Sequence, residues 1–106
     1  MKTKGYEHYY SLLRFLRRNV VLDYPLKVTR CKLPSDRLGD SDFRNEHFYI
    51  RIDKNLEMQQ AIEILIHEMS HIVSWMSDNH HTEHGPKWGL AYSMVYRHYL
   101  AWLETD

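Results

Sequence analysis

The chain is short of several features, and each shortage excludes a class of protein. It has one cysteine, Cys31, among 106 residues, so it forms neither an internal disulfide nor a four-cysteine zinc ribbon. Its 14 basic and 14 acidic residues cancel, so no global field attracts nucleic acid or an anionic membrane. Long apolar runs and an apolar N-terminal segment are missing, which argues against a membrane span or a secretion signal. We therefore expect an intracellular, cytoplasmic protein.

The composition that remains is that of a folded domain. Hydrophobic residues make up 43% of the chain and aromatic residues 13%, enough to build a core. No repeat, low-complexity tract or long linker divides it, so residues 1–106 are expected to form a single domain.

The first element is predicted to be a helix over residues 6–21. Its apolar positions recur at helical spacing and form one stripe, which consists of Tyr9, Leu13, Leu16 and Val20. Arg14, Arg17 and Arg18 share the opposite face. They could touch the phosphates of a nucleic acid, but a solvated basic face is the ordinary interpretation, so nucleic acid is only weakly supported as a partner.

The middle of the chain changes to the period of strands. Residues 26–33, enclosed by Pro25 and Pro34 and containing β-branched residues, predict a strand. Residues 36–43 are polar and rich in turn formers, so they are either a short edge strand or a loop. A half-buried strand is predicted from the alternation of Phe48, Ile50 and Ile52 with polar residues. Asn55 then stands where a helix N-cap is expected.

A long helix is predicted over residues 56–76. Its apolar stripe consists of Ile62, Leu65, Met69, Ile72 and Met76. The same helix carries His67, Glu68 and His71 beside that stripe, in the pattern HExxH. Histidines four apart lie on one helix face, so both imidazoles can reach one zinc ion, with Glu68 placed to act as general base on a zinc-bound water. The alternative is a core helix that carries these polar residues by chance.

A catalytic zinc site needs a third protein ligand and an open position. The metzincin pattern is excluded, because Ser74 and Ser77 stand where that class has glycine and histidine. A last helix is predicted from Pro86 to about Leu103. His84 lies just before it, where the helix start holds the backbone, and is the preferred third ligand.

Three other residues of the same connection remain possible third ligands. These are His80, His81 and Glu83. Tyr92 and Tyr96 follow on the last helix and are candidates for stabilising an oxyanion, although Tyr92 also falls on the predicted buried face.

Two motifs together resemble the SprT-like metallopeptidase family. They are His67-Glu68-Met69-Ser70-His71 and His84-Gly85-Pro86-Lys87-Trp88, which match HExxH followed by HGxxW at the next helix. The resemblance implies an α+β fold with a zincin-like minimal core: an N-terminal helix, a small three-stranded, mostly antiparallel sheet, the HExxH helix and a C-terminal helix. It also implies Zn²⁺ bound by His67, His71 and His84, with Glu68 as the catalytic residue.

The resemblance implies a zinc metalloendopeptidase whose substrate is a protein or peptide. Family members often add a cysteine zinc ribbon or another DNA-binding extension, and this chain has neither. Cleavage of proteins crosslinked to DNA is therefore implied only weakly, and the bare domain resembles small versions found in phage and mobile elements. The alternative function is a binding module that zinc merely stabilises, in which Glu68 would have no role.

Overall fold

The computed structural model describes residues 4–77 and 84–105. Helix α1 (Lys4–Asn19) comes first and is followed by the strands β1 (Leu26–Cys31), β2 (Gly39–Arg44) and β3 (His47–Asp53). The chain then forms helices α2 (Met58–Ser77) and α3 (Pro86–Glu104). The predicted α+β class and the order of its elements are confirmed.

The sheet is mixed, which corrects the expectation that it is mostly antiparallel. Its strand order is β1-β3-β2. β2 pairs antiparallel with β3, whereas β1 pairs parallel with β3. The reason is that β3 lies between β1 and β2 and pairs with both, instead of adding to the sheet on the far side of β2. The polar segment of residues 36–43 thus contains an edge strand.

A tight hairpin joins β2 to β3. Its two turn residues, Asn45 and Glu46, have φ values of 51° and 61°, the left-handed conformation that two-residue hairpins require. Asparagine adopts this conformation readily, whereas glutamate rarely does. The turn fixes the register in which Ser41 lies opposite Ile50 and Asp40 opposite Arg51.

Helix α2 lies at the centre of the core. The inward face of β3 is buried at Phe48, Ile50 and Ile52, and α2 covers that face while also contacting α1 and α3. The predicted stripe of α2 is confirmed at Ile62, Leu65, Met69 and Ile72, all of which are buried. The side chain of Met76 lies outside the described part of the chain.

The start of α2 differs from the prediction. The helix begins at Met58, so Asn55 is not its N-cap. A turn comes first, in which the N–H of Leu56 donates to the carbonyl of Asp53 at 3.3 Å. Leu56 is buried at 9% exposure, so anchoring this side chain in the core explains why the turn precedes the helix.

Within the described residues, no helix is both long enough and apolar enough to cross a membrane.

Candidate metal centre

Helix α2 brings the two motif histidines together. His67 and His71 are four residues apart, so they project from one face, and their ring centroids lie 5.0 Å apart. His71 is buried and His67 is half-buried. The same helix therefore anchors its apolar stripe in the core and holds two imidazoles at the edge of that core.

His84 completes a cluster with these two histidines. It precedes Gly85, the N-cap of α3, and Pro86, which occupies the first turn. Its Nε2 lies 3.1 Å from Nε2 of His71 and 3.2 Å from Nε2 of His67. All three donor atoms lie within 4.8 Å of one another.

The distances from Nε2 of His84 to the other two nitrogens match those between ligands of a tetrahedral zinc ion. With Zn–N bonds of about 2.05 Å, two ligand atoms at corners of a tetrahedron are about 3.3 Å apart. The His84–His71 and His84–His67 distances are within a few tenths of an ångström of that value, and the remaining pair lies within 4.8 Å. Imidazole nitrogens are ligands that Zn²⁺ prefers, and no fourth His, Cys, Asp or Glu of residues 4–77 and 84–105 joins this group.

The other predicted third ligands, His80, His81 and Glu83, lie outside the described residues. The cluster of His67, His71 and His84 is the group of side chains in the described ranges that could hold a metal ion.

Burial also favours the neutral form of one histidine. The pKa of His67 is lowered from its usual value of 6.5, first by burial and then by the neighbouring His84. A metal ion requires the neutral imidazole. The environment of His67 therefore keeps it in the form that can donate electrons to a metal.

Glu68 is a buried carboxyl group beside this cluster. It is 7% exposed, and its pKa is raised to about 7, chiefly because burial penalises the charged form. The charge of Asp40 raises the pKa further, whereas a hydrogen bond from the Ser41 side chain lowers it. A carboxyl group with a pKa near neutrality can both accept and release a proton under physiological conditions.

Strand β2 lies directly against the motif helix at Gly39. A Cβ at this position would be 2.5 Å from Cγ2 of Ile64, 3.0 Å from the backbone oxygen of Arg51 and 3.5 Å from Cγ of Glu68. Only glycine permits this approach of strand to helix.

Neither Gly39 nor Ser41 was predicted from the sequence to belong to the site. The sequence feature that could have pointed to these two residues is their alternation with Asp40 in the polar segment, which puts residues 39 and 41 on one strand face. That alternation could not reveal which helix the face meets.

Trp88 covers one side of the histidine cluster. The centroid of its ring lies 4.7 Å from the ring centroid of His84, 5.2 Å from that of His67 and 5.7 Å from that of His71. Its buried Nε1 has no hydrogen-bond partner among the described residues. Trp88 therefore shields this side of the cluster from bulk water.

Trp75 and Tyr92 are two further aromatic residues on the helices that carry the motifs. Trp75 packs against Phe43 and Phe48, with centroids 6.0 and 6.2 Å apart, so it belongs to the core edge. Tyr92, expected on the buried face of the last helix, is 36% exposed and stacks on Trp88 at 5.1 Å. The buried residues of α3 are Ala91, Val95 and Trp102.

Comparison with known proteins identifies a family. A model of the SprT-like family matches residues 16–103 of the chain, a span that includes both motifs. No curated protein matches the chain, and no solved structure does.

Proposed function

The chain belongs to the SprT-like family, whose domains are zincin-like, and from this premise we propose that it is a zinc-dependent metallopeptidase. The observation that supports this most strongly is the position of Glu68. A buried carboxyl group with a pKa near 7 lies on the same helix as two of three converging imidazoles. A site that served only to hold the fold together would have no use for it.

His67, His71 and His84 would hold the zinc ion. When bound there, zinc supplies a Lewis acid that polarises a carbonyl group and lowers the pKa of a coordinated water toward about 7. The half-exposed His67 and the exposed His84 leave the site open to a substrate from the solvent side.

Glu68 would move the proton of the reaction. Its ionised carboxylate accepts a proton from the attacking water, and the protonated group then donates it to the leaving amine. Ser41 tunes this exchange, since its hydrogen bond favours the ionised form while burial favours the protonated one. A pKa near the working pH makes both steps accessible to one group.

Strand β2 would bind the substrate backbone. It is an edge strand that pairs with β3, and Gly39 brings it against the helix that carries Glu68. An extended peptide added to a free strand edge gains backbone hydrogen bonds without regard to sequence. Such a peptide would lie with a carbonyl group near the histidine cluster.

The test combines metal analysis with proteolysis. Purified protein is expected to contain one zinc per chain and to cleave an unfolded protein, and Glu68→Gln is expected to keep both zinc and fold while losing about 10²-fold or more in turnover. Glu57→Gln, an exposed change immediately before the same helix, is the matched control. Stoichiometric zinc without any cleavage by the parent would instead identify a zinc-stabilised binding module.

A further inference from the structure

A cleft opens between α2 and α3 directly beside the histidine cluster. It has a volume of about 420 Å³, within the range of about 300 to 1,000 Å³ typical of ligand sites. We call it the tyrosine cleft; its lining includes Glu63, Ile64 and His67 of α2 and Tyr92, Tyr96 and Tyr99 of α3. Because His67 forms one end of it, whatever occupies the cleft lies next to the proposed reaction centre.

The α3 wall of the cleft is built of stacked tyrosine rings. Tyr92 and Tyr96 have centroids 5.8 Å apart and planes inclined by 19°, and they are 36% and 39% exposed. Aromatic faces attract cations through the ring quadrupole. The chain already uses this contact elsewhere, since the guanidinium of Arg30 lies 3.8 Å from the ring centroid of Tyr6.

The α2 wall supplies a negative charge. Glu63 is exposed and lies one helical turn before His67, about 6 Å along the axis. It forms no ion pair with any residue in the described ranges. No lysine or arginine of the described ranges lines the cleft, so none of these residues neutralises the Glu63 carboxylate.

The cleft is continuous with the edge strand. Ile64 lines the cleft and also meets Gly39 of β2 through its Cγ2 atom. Side chains of an extended peptide alternate between two faces. A peptide paired with β2 would therefore direct alternate side chains toward α2, where the cleft begins.

From this arrangement we propose that the tyrosine cleft binds the cationic side chain, lysine or arginine, of the substrate residue next to the cleaved bond. The alkyl stem would lie against the tyrosine rings while the charged end reaches Glu63. The inference rests on the proposed peptidase function, and it assigns Glu63 and Tyr96 as specificity-determining residues rather than catalytic ones.

Cleavage-site mapping tests this assignment. A decapeptide library with all residues equally represented is digested, and the cut positions are read by mass spectrometry. Lysine and arginine are expected to be enriched about tenfold at one of the two positions flanking the cut. A cation–π contact and an exposed ion pair each contribute a preference of up to a few-fold for a cationic side chain, and the two preferences multiply. Glu63→Gln should remove most of the enrichment, and Glu63→Lys should shift it to aspartate and glutamate. Glu57→Gln should leave the profile unchanged.

A binding measurement separates failure of this inference from failure of the proposed function. Zinc-loaded Glu68→Gln protein is titrated with two peptides that differ only in lysine against its uncharged isostere norleucine. The lysine peptide is expected to bind about tenfold more tightly, and adding Glu63→Gln or Tyr96→Leu should reduce that difference.

The outcomes are distinct. Cleavage with no preference for basic residues, or with a preference for aromatic ones, overturns the cationic assignment while the peptidase proposal stands. No cleavage at all overturns the peptidase proposal, and the titration alone then decides whether the cleft binds a cationic side chain. Equal binding of the two peptides overturns the inference in either case.

Discussion

Nε2 of His84 lies 3.1 Å from Nε2 of His71, although His71 belongs to α2 and His84 stands at the far end of the connection to α3. The contact joins the end of one motif to the start of the other, and it makes the position of α3 relative to α2 part of the site.

Loss of His84 should lower zinc affinity and remove the stabilisation that zinc gives. A ligand that binds only the folded state raises stability by RT ln(1 + [L]/Kd), about 2.7 kcal/mol at a hundredfold excess over Kd. We therefore expect a chelator to lower the Tm of the parent and to have much less effect on His84→Ala. Calorimetry and elemental zinc analysis measure this. His47→Ala, an exposed histidine on β3, is the control, and undiminished zinc in His84→Ala would move the third ligand to His80 or His81.

Gly39→Ala should destabilise the fold, because its Cβ would lie 2.5 Å from Ile64 and 3.0 Å from the backbone oxygen of Arg51. Overpacking of this kind costs about 1 to 3 kcal/mol. Gly89→Ala is the matched control: Gly89 lies in α3 with nothing within 4 Å of the new Cβ, so that change should stabilise by about 0.5 to 1 kcal/mol. Urea unfolding measures both, and two changes of the same sign would contradict the close approach of β2 to α2.

Asp40 should make the fold sensitive to acid. The hydrogen bond from Arg51 lowers the pKa of Asp40 below its ordinary value of 3.8, helped by a hydrogen bond from Arg37. A carboxyl group whose folded-state pKa is lowered contributes stability that is present above the unfolded pKa and lost as the pH falls through the folded one. The denaturation midpoint of the parent should therefore fall more steeply below about pH 4 than that of Asp40→Asn.

The control for this pH series is Asp36→Asn. Asp36 approaches Arg37 at 3.9 Å with its side chain 78% exposed, so its pairing is screened by solvent. The pH profile of Asp36→Asn should therefore follow that of the parent. Identical profiles for Asp40→Asn and the parent would show that the pairing of Asp40 with Arg51 does not stabilise the fold.

Trp88 should report zinc binding by fluorescence. Its ring lies within 6 Å of all three imidazoles, at 4.7 to 5.7 Å, whereas Trp102 is buried in the core and donates to Ser11. Adding zinc to chelator-treated protein should change the emission of the parent and of Trp75→Phe, but change that of Trp88→Phe far less. A full response in Trp88→Phe would place the metal away from this cluster.

Local spacing predicted the parts of the site that lie on one element. His67 and His71 are four apart in a helix, so their common face follows from helical geometry alone. Pro86 predicted where α3 begins and thus held His84 near a defined helix start. The apolar stripe at Ile62 and Leu65 likewise predicted which side of α2 is buried.

Contacts between distant elements were not predictable in this way. The alternation in residues 39–43 gave no sign that Gly39 meets Ile64 or that Ser41 bonds to Glu68. The parallel pairing of β1 with β3 depends on β3 entering between two strands, which period-two patterning cannot encode. Tyr92 was assigned to the wrong face because helical period alone does not say how wide the covered stripe is.

The sequence by itself determined the elements, the face of α2 that bears the histidines, and the residue types that zinc prefers. Those features depend on periodicity and on side-chain chemistry, both of which are local. Only the tertiary structure decided that three nitrogens converge, that Glu68 is desolvated enough to raise its pKa to about 7, and that a cleft of tyrosines opens beside His67. Burial and convergence arise from packing between segments far apart in the chain, so no single segment carries their signal.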